Sequence, residues 1–363
     1  MASAIKQVGK TKSARIDIVD FWRFFAAIMI VFRHISIVGG PKVESHFFVE
    51  FFFMLTGYFI FKHFQKREYL RQSVEKKCLN ALKYTWQRFK QLLPFTIPIV
   101  VICSLAFAYQ FYSHSHYLPY TLKIIRNIFI EPFMLPGQIS PLGGRLITPI
   151  WYLAVMVFFM PIVSYIAQSK RKNTFILIMI PISWLFIASA TDIHGHFPVS
   201  HPVSALRGLI PMLMGGLLFY AVEQLSKAKI QKSRMVLMTI SEFALYFLMA
   251  YLAFRAYKPS GVLIVLAFFA ILITLSGHSL TSKIRCKFFN FLGGVSLPLF
   301  MWHFGIIRLV KQYQWMGMTR RYLIVFGGSI LISVIHYLVV QFFIKKLKNP
   351  KKKKIKQIAK STT

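Results

Sequence analysis

Residues 17–38 read DIVDFWRFFAAIMIVFRHISIV, an apolar run of membrane-spanning length that also carries ionisable side chains. These are Asp20, Arg23, Arg33 and His34. An ionisable side chain at membrane depth costs at least about 2.5 kcal/mol, so such residues usually face a bundle interior or a water-filled cavity. The sequence therefore predicts a membrane helix with a functional face.

Helical spacing separates these side chains into two groups. Arg23 and His34 are eleven positions apart in the sequence, which places them on one helix face, separated by about 16 Å. Asp20 precedes Arg23 by three positions, close enough for an ion pair, whereas Arg33 points away from this stripe and suits the interface. The structural alternative is that Arg23 and His34 are interfacial anchors near opposite helix ends.

The composition is that of a polytopic membrane protein. Hydrophobic residues make up 56% of the chain, aromatic residues 16%, and the mean hydropathy is +0.56. The formal charge of +35 does not indicate nucleic-acid binding, because the Lys and Arg residues lie between apolar runs instead of collecting on one face. We expect a lipid bilayer as the surroundings, no nucleic-acid partner, and no disulfide framework from three scattered cysteines.

Ten apolar runs predict an all-α bundle of about ten transmembrane helices. These runs are 19–38, 47–62, 92–112, 148–168, 174–191, 204–224, 235–254, 259–276, 288–307 and 322–343. A cytoplasmic N-terminus places most Lys and Arg residues inside, which favours an N-in/C-in orientation. We expect a basic cytoplasmic segment (1–18), a membrane domain (19–344) and a polybasic cytoplasmic tail (345–363), with the first helix retained and not cleaved as a signal peptide.

Glu50 lies at the outer end of the second predicted helix, at a depth similar to that of His34. A carboxylate that orients an imidazole raises its basicity, which is a common way to prepare a general base. The alternative is that Glu50 only holds helices together by hydrogen bonds. Gly57, farther along the same helix, permits close helix packing.

Arg88 and Lys90 stand just before the third predicted helix, on its cytoplasmic side. Cations beside a helix N-terminus suit a phosphate group, although a solvated basic loop is an equal alternative. Weaker candidates for substrate contacts are Ser296, Trp302 and His303 on the ninth helix and Trp151 at the outer interface. For these residues the alternatives are core packing and aromatic anchoring.

Two outer segments remain. Residues 113–147 do not fit a span and are expected to form an external, partly helical flap. His194, His196 and His201 cluster with Asp192, but the spacing is loose and cysteine is absent, so we expect no metal site.

From about residue 17 to 344 the chain resembles acyltransferase family 3, the integral-membrane enzymes that O-acylate bacterial cell-surface carbohydrates. Asp20 with Arg23, ten intervening residues and His34 looks like the family's Arg-x10-His signature. Residues 48–58, FVEFFFMLTGY, are similar to its acidic, Phe-rich, Ser–Gly–Phe segment, with Thr in place of Ser.

Two further segments extend the resemblance. Residues 88–94 resemble the family's Arg-rich segment that ends in Leu-Leu-Pro, though Gln91 stands where a base is usual, and residues 292–303 look like its closing Gly–Ser–Tyr-Leu–His segment. Met156 stands where a carboxylate is often found, which suggests a subgroup with a different acceptor. Many relatives append a soluble hydrolase domain, and the resemblance here is to the stand-alone membrane form.

The resemblance implies an acyl-coenzyme A donor, most often acetyl-CoA, used as a substrate with no tightly bound cofactor. Arg88 and Lys90 would hold the nucleotide phosphates, and Arg23, tied to Asp20, would steady the thioester arm. His34 would act as general base, oriented by Glu50.

The expected acceptor is a hydroxyl of a surface exopolysaccharide, capsule or lipopolysaccharide, in a multi-pass protein of the cytoplasmic membrane. Polysaccharide-assembly proteins are possible partners. The main alternative is a transporter or flippase for a sugar or polysaccharide precursor, although such proteins often contain repeats and no repeat is evident here. A structural subunit of a polysaccharide assembly complex is a third alternative.

Overall fold

The structure, a computed structural model, describes residues 16–112, 149–196, 205–313 and 315–361, and within these ranges it is helical with no strands. The helices are α1 (Ile18–Ile35), α2 (Phe47–Phe64), α3 (Arg67–Leu70), α4 (Val74–Tyr112), α5 (Ile150–Ile166), α6 (Lys172–His196), α7 (Leu206–Leu225), α8 (Lys232–Phe254), α9 (Ser260–Ser276), α10 (Lys287–Lys311) and α11 (Met318–Ser361). The all-α prediction is confirmed.

Eight of these helices are long and apolar enough to cross a membrane: α1 with the short turn after it, α2, α4, α6, α7, α8, α10 and α11. The other two predicted spans coincide with α5 and α9, which are apolar helices of 17 residues each. The polytopic helical bundle is therefore confirmed, with eight full-length candidate spans. The predicted flap at 113–147 lies outside the described residues.

Two helices extend well beyond their predicted spans. α4 begins at Val74, eighteen positions before the predicted start, and continues through Pro94 and Pro98 without a break. α11 runs on through the basic tail to Ser361, so no change of secondary structure marks the predicted boundary at residue 345. Hydropathy detects only the apolar part of such a helix. The polar part consists of residues that favour helices but are not apolar, so it continues the helix outside the predicted span.

Burial separates interior helices from lipid-facing ones. In their apolar windows, 78% of α10 and 72% of α2 are buried, against 22% of α6 and of α8. An apolar helix that is largely unburied inside its own protein is suited to contact lipid. The interior of the bundle is therefore built around α10 and α2.

Glycines let the interior helices touch backbone to backbone. A Cβ atom at Gly57 of α2 would come within 1.8 Å of the carbonyl oxygen of Met212, and one at Gly215 of α7 within 2.3 Å of that of Met54. The predicted role of Gly57 in close helix packing is confirmed, and α2 and α7 are the partners.

Candidate functional site

The N-terminal half of α1 carries the predicted ion pair. Arg23 Nη1 lies 3.1 Å from Asp20 Oδ1, so this pairing is confirmed. Asp20 is buried where α1 meets α10. The two helices are so close there that a Cβ atom at Gly293 would come within 2.4 Å of the Asp20 Cβ. Arg23 keeps 35% of its side chain exposed, which leaves its guanidinium available to a ligand.

Trp22 fixes the rotation of α1 beside Arg23. Its Nε1 atom donates to Glu242 Oε1 over 2.7 Å, and its ring stacks on Tyr246 with centroids 3.7 Å apart. Glu242 is fully buried and also accepts hydrogen bonds from Thr274 (3.0 Å) and Thr281 (2.5 Å). This buried network, which links α1, α8 and α9, holds Arg23 in a defined direction.

Arg23 opens into a cavity of about 390 Å³ that we call the Arg88 cavity. Five helices line it: α1, α2, α4, α5 and α10. Its polar side chains include Arg23, Arg88 and Ser296, and much of the remaining wall is apolar. A largely apolar cavity with a few charged groups is typical of a small-molecule site.

Sequence-predicted residues divide clearly at this cavity. Arg23, Arg88, Ser296 and Met156 all line it, although they lie far apart in the sequence. Lys90 is not among the lining residues, and its ammonium lies 5.6 Å from the centroid of the Trp86 ring on an exposed face of α4. The structure therefore does not bring Lys90 and Arg88 together at this cavity, because two positions of helix turn them about 200° apart.

Three aromatic rings, those of Phe52, Tyr152 and Phe300, line the Arg88 cavity and contact one another. Phe300 also packs on the other side against His303, with ring centroids 6.1 Å apart. We call these three residues the aromatic layer. Through Phe300, the aromatic layer contacts both the Arg88 cavity and His303.

His34 and His303 contact each other across α1 and α10. His303 Nε2 lies 3.2 Å from His34 Nδ1, and the ring centroids are 5.0 Å apart. His303 is fully buried and His34 half-buried. The second histidine of the resemblance thus lies beside the first, which sequence spacing alone does not reveal.

Backbone carbonyl groups assign the tautomers of both rings. His303 Nδ1 faces the Leu299 carbonyl oxygen at 3.2 Å, and His34 Nδ1 faces that of Ile30 at 3.0 Å. A carbonyl oxygen only accepts, so each Nδ1 carries the proton and the His303 Nε2 lone pair accepts from His34. His34 Nε2 is then a lone pair with no hydrogen bond to any described residue, as a general base requires.

Glu50 has a partner other than His34. Its Oε1 atom lies 2.8 Å from Arg207 Nε in a buried ion pair, and the Arg207 guanidinium lies 5.1 Å from the centroid of Trp151. No hydrogen bond joins Glu50 to His34 in the described structure, so the predicted orienting contact is replaced by that of His303. Trp151 is 7% exposed and is not among the residues that line the Arg88 cavity.

Trp302 also faces away from the Arg88 cavity. Its Nε1 atom donates to His336 Nδ1 over 3.0 Å, and His336 Nε2 lies 3.4 Å from the Pro94 carbonyl oxygen. Pro98 has no N–H to offer that oxygen in the helical ladder, so His336 fills the gap. Trp302 therefore ties α10 to α4 and α11, and it is not among the residues that line the Arg88 cavity.

Arg33 joins a polar cluster at the C-terminal end of α1. It donates to Glu44 and to the Val43 carbonyl oxygen, while Lys42 Nζ (3.3 Å) and His46 Nδ1 (3.4 Å) also approach the Glu44 carboxylate. The hydrogen bond from His46 and those from Arg33 and Lys42 hold the pKa of Glu44 well below its usual range. This cluster anchors the helix end that carries His34.

Several residues were not anticipated from the sequence. Arg207 is a lone charge next to an apolar run and could have been found by the rule that selected Arg23. Phe300 has no distinguishing signal in a chain with 37 phenylalanines. No group of three or more metal-ligating side chains occurs among the described residues, but His201 and the side chains of His194 and His196 lie outside them.

The chain matches one family model, described as an acyltransferase domain of acyltransferase family 3, over residues 16–338. No curated protein and no solved structure matches it significantly. The matched range contains the Asp20–Arg23 pair, the Arg88 cavity and the two histidines. The chain therefore belongs to acyltransferase family 3 and is a multi-pass membrane acyltransferase.

Proposed function

We propose that this acyltransferase moves an acyl group, most commonly acetyl, from acyl-coenzyme A to a hydroxyl of a cell-surface or exported polysaccharide. The observation that carries the proposal is the placement of Arg23, Arg88 and the His34–His303 pair. Two cationic side chains line one cavity, and a histidine with an available lone pair lies beyond the aromatic layer at its wall.

The Arg88 cavity suits the donor. Arg88 is exposed at the cytoplasmic end in the proposed N-in/C-in orientation, where the phosphates of coenzyme A would meet it. The apolar walls suit the pantetheine arm, and Arg23 lies farther along that path. No tightly bound cofactor is needed, because the donor is consumed as a substrate.

The proposed reaction is a direct transfer. The acceptor oxygen attacks the thioester carbonyl carbon, and His34 Nε2 takes the hydroxyl proton as the new C–O bond forms. The C–S bond then breaks, and the proton passes to the sulfur, which leaves as free coenzyme A thiol. A positioned base contributes about 10²–10⁴-fold to such a step.

The location of the acceptor follows from the proposed topology. Lys and Arg residues lie mainly in loops that this topology puts inside, in accordance with the positive-inside rule, so His34 would be near the outer face of the cytoplasmic membrane. Capsule, exopolysaccharide and lipopolysaccharide are the acceptor classes that reach this face. Polysaccharide-assembly proteins would then be natural partners.

The test compares surface polysaccharide from cells with the intact gene, a deletion, or His34→Ala, using mass spectrometry and NMR. We expect O-acyl groups to disappear in both altered strains while the glycan persists, with the variant protein present at normal levels. Unchanged acylation in a well-folded His34→Ala protein would refute the role of His34. Loss of the glycan itself with normal acylation of the remainder would favour transport instead.

A further inference from the structure

A second cavity, about 450 Å³ in volume, adjoins Arg23 on its other side. We call it the Lys287 cavity. It is lined mainly by α10 and α11, and it shares Arg23 and Leu297 with the Arg88 cavity. Its volume is within the roughly 300–1,000 Å³ range of ligand sites.

The side chains of the Lys287 cavity are more polar than those of its neighbour. Lys287 and Gln341 are exposed at its rim, Asn290 and Tyr337 stand in its wall, and Phe291 adds an aromatic face. In the topology proposed above this rim opens to the cytoplasm. A cation, amides and aromatic rings together suit a purine nucleotide, since bases stack on rings and hydrogen-bond through their edges.

Asn290 supplies the decisive observation. Its Oδ1 atom is buried and has no hydrogen-bond partner among the described residues. Asn290 lines the Lys287 cavity, and a buried acceptor without a donor costs about 1–3 kcal/mol, so a ligand donor that meets this oxygen after a rotation of the side chain into the cavity would remove that cost. An exocyclic amine of a base is a donor of the required kind.

The glycines of α10 make this wall. A Cβ atom at Gly294 would come within 2.4 Å of the Tyr337 ring, and Gly293 lies against Asp20 in the same way. Both glycines line the Lys287 cavity. The close approach of α1 and α11 to α10 therefore brings Arg23, Asn290 and Tyr337 around one space.

We infer that the Lys287 cavity binds the nucleotide end of the donor, with Asn290 accepting a hydrogen bond from the adenine amine and Lys287 contacting a phosphate. The diphosphate would then lie between Arg23 and Arg88, and the pantetheine arm would extend along the apolar walls of the Arg88 cavity. This inference rests on the proposed use of acyl-coenzyme A. It adds a nucleotide subsite, formed mainly by α10 and α11, to the donor site proposed for the Arg88 cavity.

The test measures binding of coenzyme A, 3′,5′-adenosine diphosphate and pantetheine to the full chain in nanodiscs by calorimetry. We expect Asn290→Ala and Lys287→Ala each to weaken the two nucleotide-containing probes about ten-fold, the effect of losing one hydrogen bond or charge contact. Affinity for pantetheine, which lacks the nucleotide, should not change. The matched controls are Asn173→Ala and Lys283→Ala, which change exposed residues outside both cavities.

The outcomes separate this inference from the proposed function. If the unaltered protein binds coenzyme A, and both variants bind it with unchanged affinity, the nucleotide subsite is wrong while the donor assignment stands. Equal weakening of pantetheine and coenzyme A would also overturn the subsite, because it would indicate general damage to the site. If the unaltered protein binds none of the three probes, the proposed donor fails, and the subsite fails with it.

Discussion

His303 Nε2 accepts a hydrogen bond from His34 Nδ1 across 3.2 Å, and this contact joins α10 to α1 at the proposed general base. The contact gives His303 a positioning role: together with the Ile30 carbonyl oxygen, which shares the same Nδ1 proton, it holds the His34 ring in place. Proton transfer itself is assigned to His34 Nε2.

The first prediction separates these two roles. His303→Ala should lower the rate of acyl transfer about ten-fold, as expected for one lost hydrogen bond, whereas His34→Ala should lower it about 10²–10⁴-fold. His303→Gln, whose amide oxygen can accept in the same place, should retain more activity than His303→Ala. Steady-state rates of thiol release with isolated polysaccharide check this order. A loss with His303→Ala as large as that with His34→Ala would make His303 a proton-transferring group.

The second prediction contrasts two neighbouring cations of α4. Arg88→Ala should raise the KM for acyl-coenzyme A about ten-fold, because Arg88 lines the donor cavity and would lose a charge-assisted contact. Lys90→Ala should leave this KM unchanged, because Lys90 lies over Trp86 on the exposed face. Initial-rate measurements over a range of donor concentrations test both. Equal increases would mean that general positive charge, and not this cavity, binds the donor.

The third prediction concerns the aromatic layer. Phe300→Ala should widen the passage between the Arg88 cavity and the histidine pair, and so increase thiol release from acyl-coenzyme A when no acceptor is present. Phe59→Ala is the matched control, because Phe59 lines the cavity but is 40% exposed and does not contact His303. A thiol reagent measures the release. No increase above the control would show that Phe300 does not separate donor from water.

The fourth prediction concerns the pH dependence of stability. The pKa of Glu44 is lowered in the folded protein, so its charge stabilises the fold above the ordinary value of 4.5 and progressively less as the pH falls below that value. Glu44→Gln should therefore lower the Tm at pH 7, and it should reduce the further loss of Tm between pH 6 and pH 3. Thermal unfolding of Glu68→Gln, which alters an exposed carboxylate of α3, is the comparison. A parallel fall in both variants would contradict the role of Glu44.

The fifth prediction tests the orientation. Cys78 is exposed near the start of α4, in a segment that the N-in/C-in topology puts in the cytoplasm. A membrane-impermeant maleimide should label it only after the cells are permeabilised, and Cys78→Ser should abolish that labelling. Labelling of Cys78 in intact cells would reverse the topology and move His34 to the cytoplasmic face.

Much of the fold could be predicted because apolar length and the cost of buried charge act locally along the chain. The spacing of Asp20 and Arg23 was enough to predict their ion pair, since both belong to one helix. The cost of a charge in lipid also predicts that Arg23 and His34 lie inside the bundle. This argument alone does not exclude the alternative that they are interfacial anchors, because that depends on the neighbouring helices.

Partners on different helices could not be predicted in this way. Glu50 was assigned to His34 from similar depth, yet depth does not determine which way a side chain faces, and Arg207 meets it instead. Lys90 and Arg88 were grouped because they are close in sequence, but helix rotation separates them. Met156 illustrates the reverse case: it departs from the family pattern in the sequence, and the structure places it in the wall of the Arg88 cavity.

The glycine contact between α2 and α7 limits the motions that the helix bundle can make. Because the two backbones touch at Gly57 and Gly215, α2 and α7 cannot move relative to each other without disrupting their packing. A donor molecule that enters the Arg88 cavity must therefore displace a different wall. Only 28% of the apolar window of α4 is buried, so α4 is the wall of the cavity that can move most easily. Because α4 would move against lipid, the thickness of the surrounding bilayer should influence the rate at which the proposed donor binds.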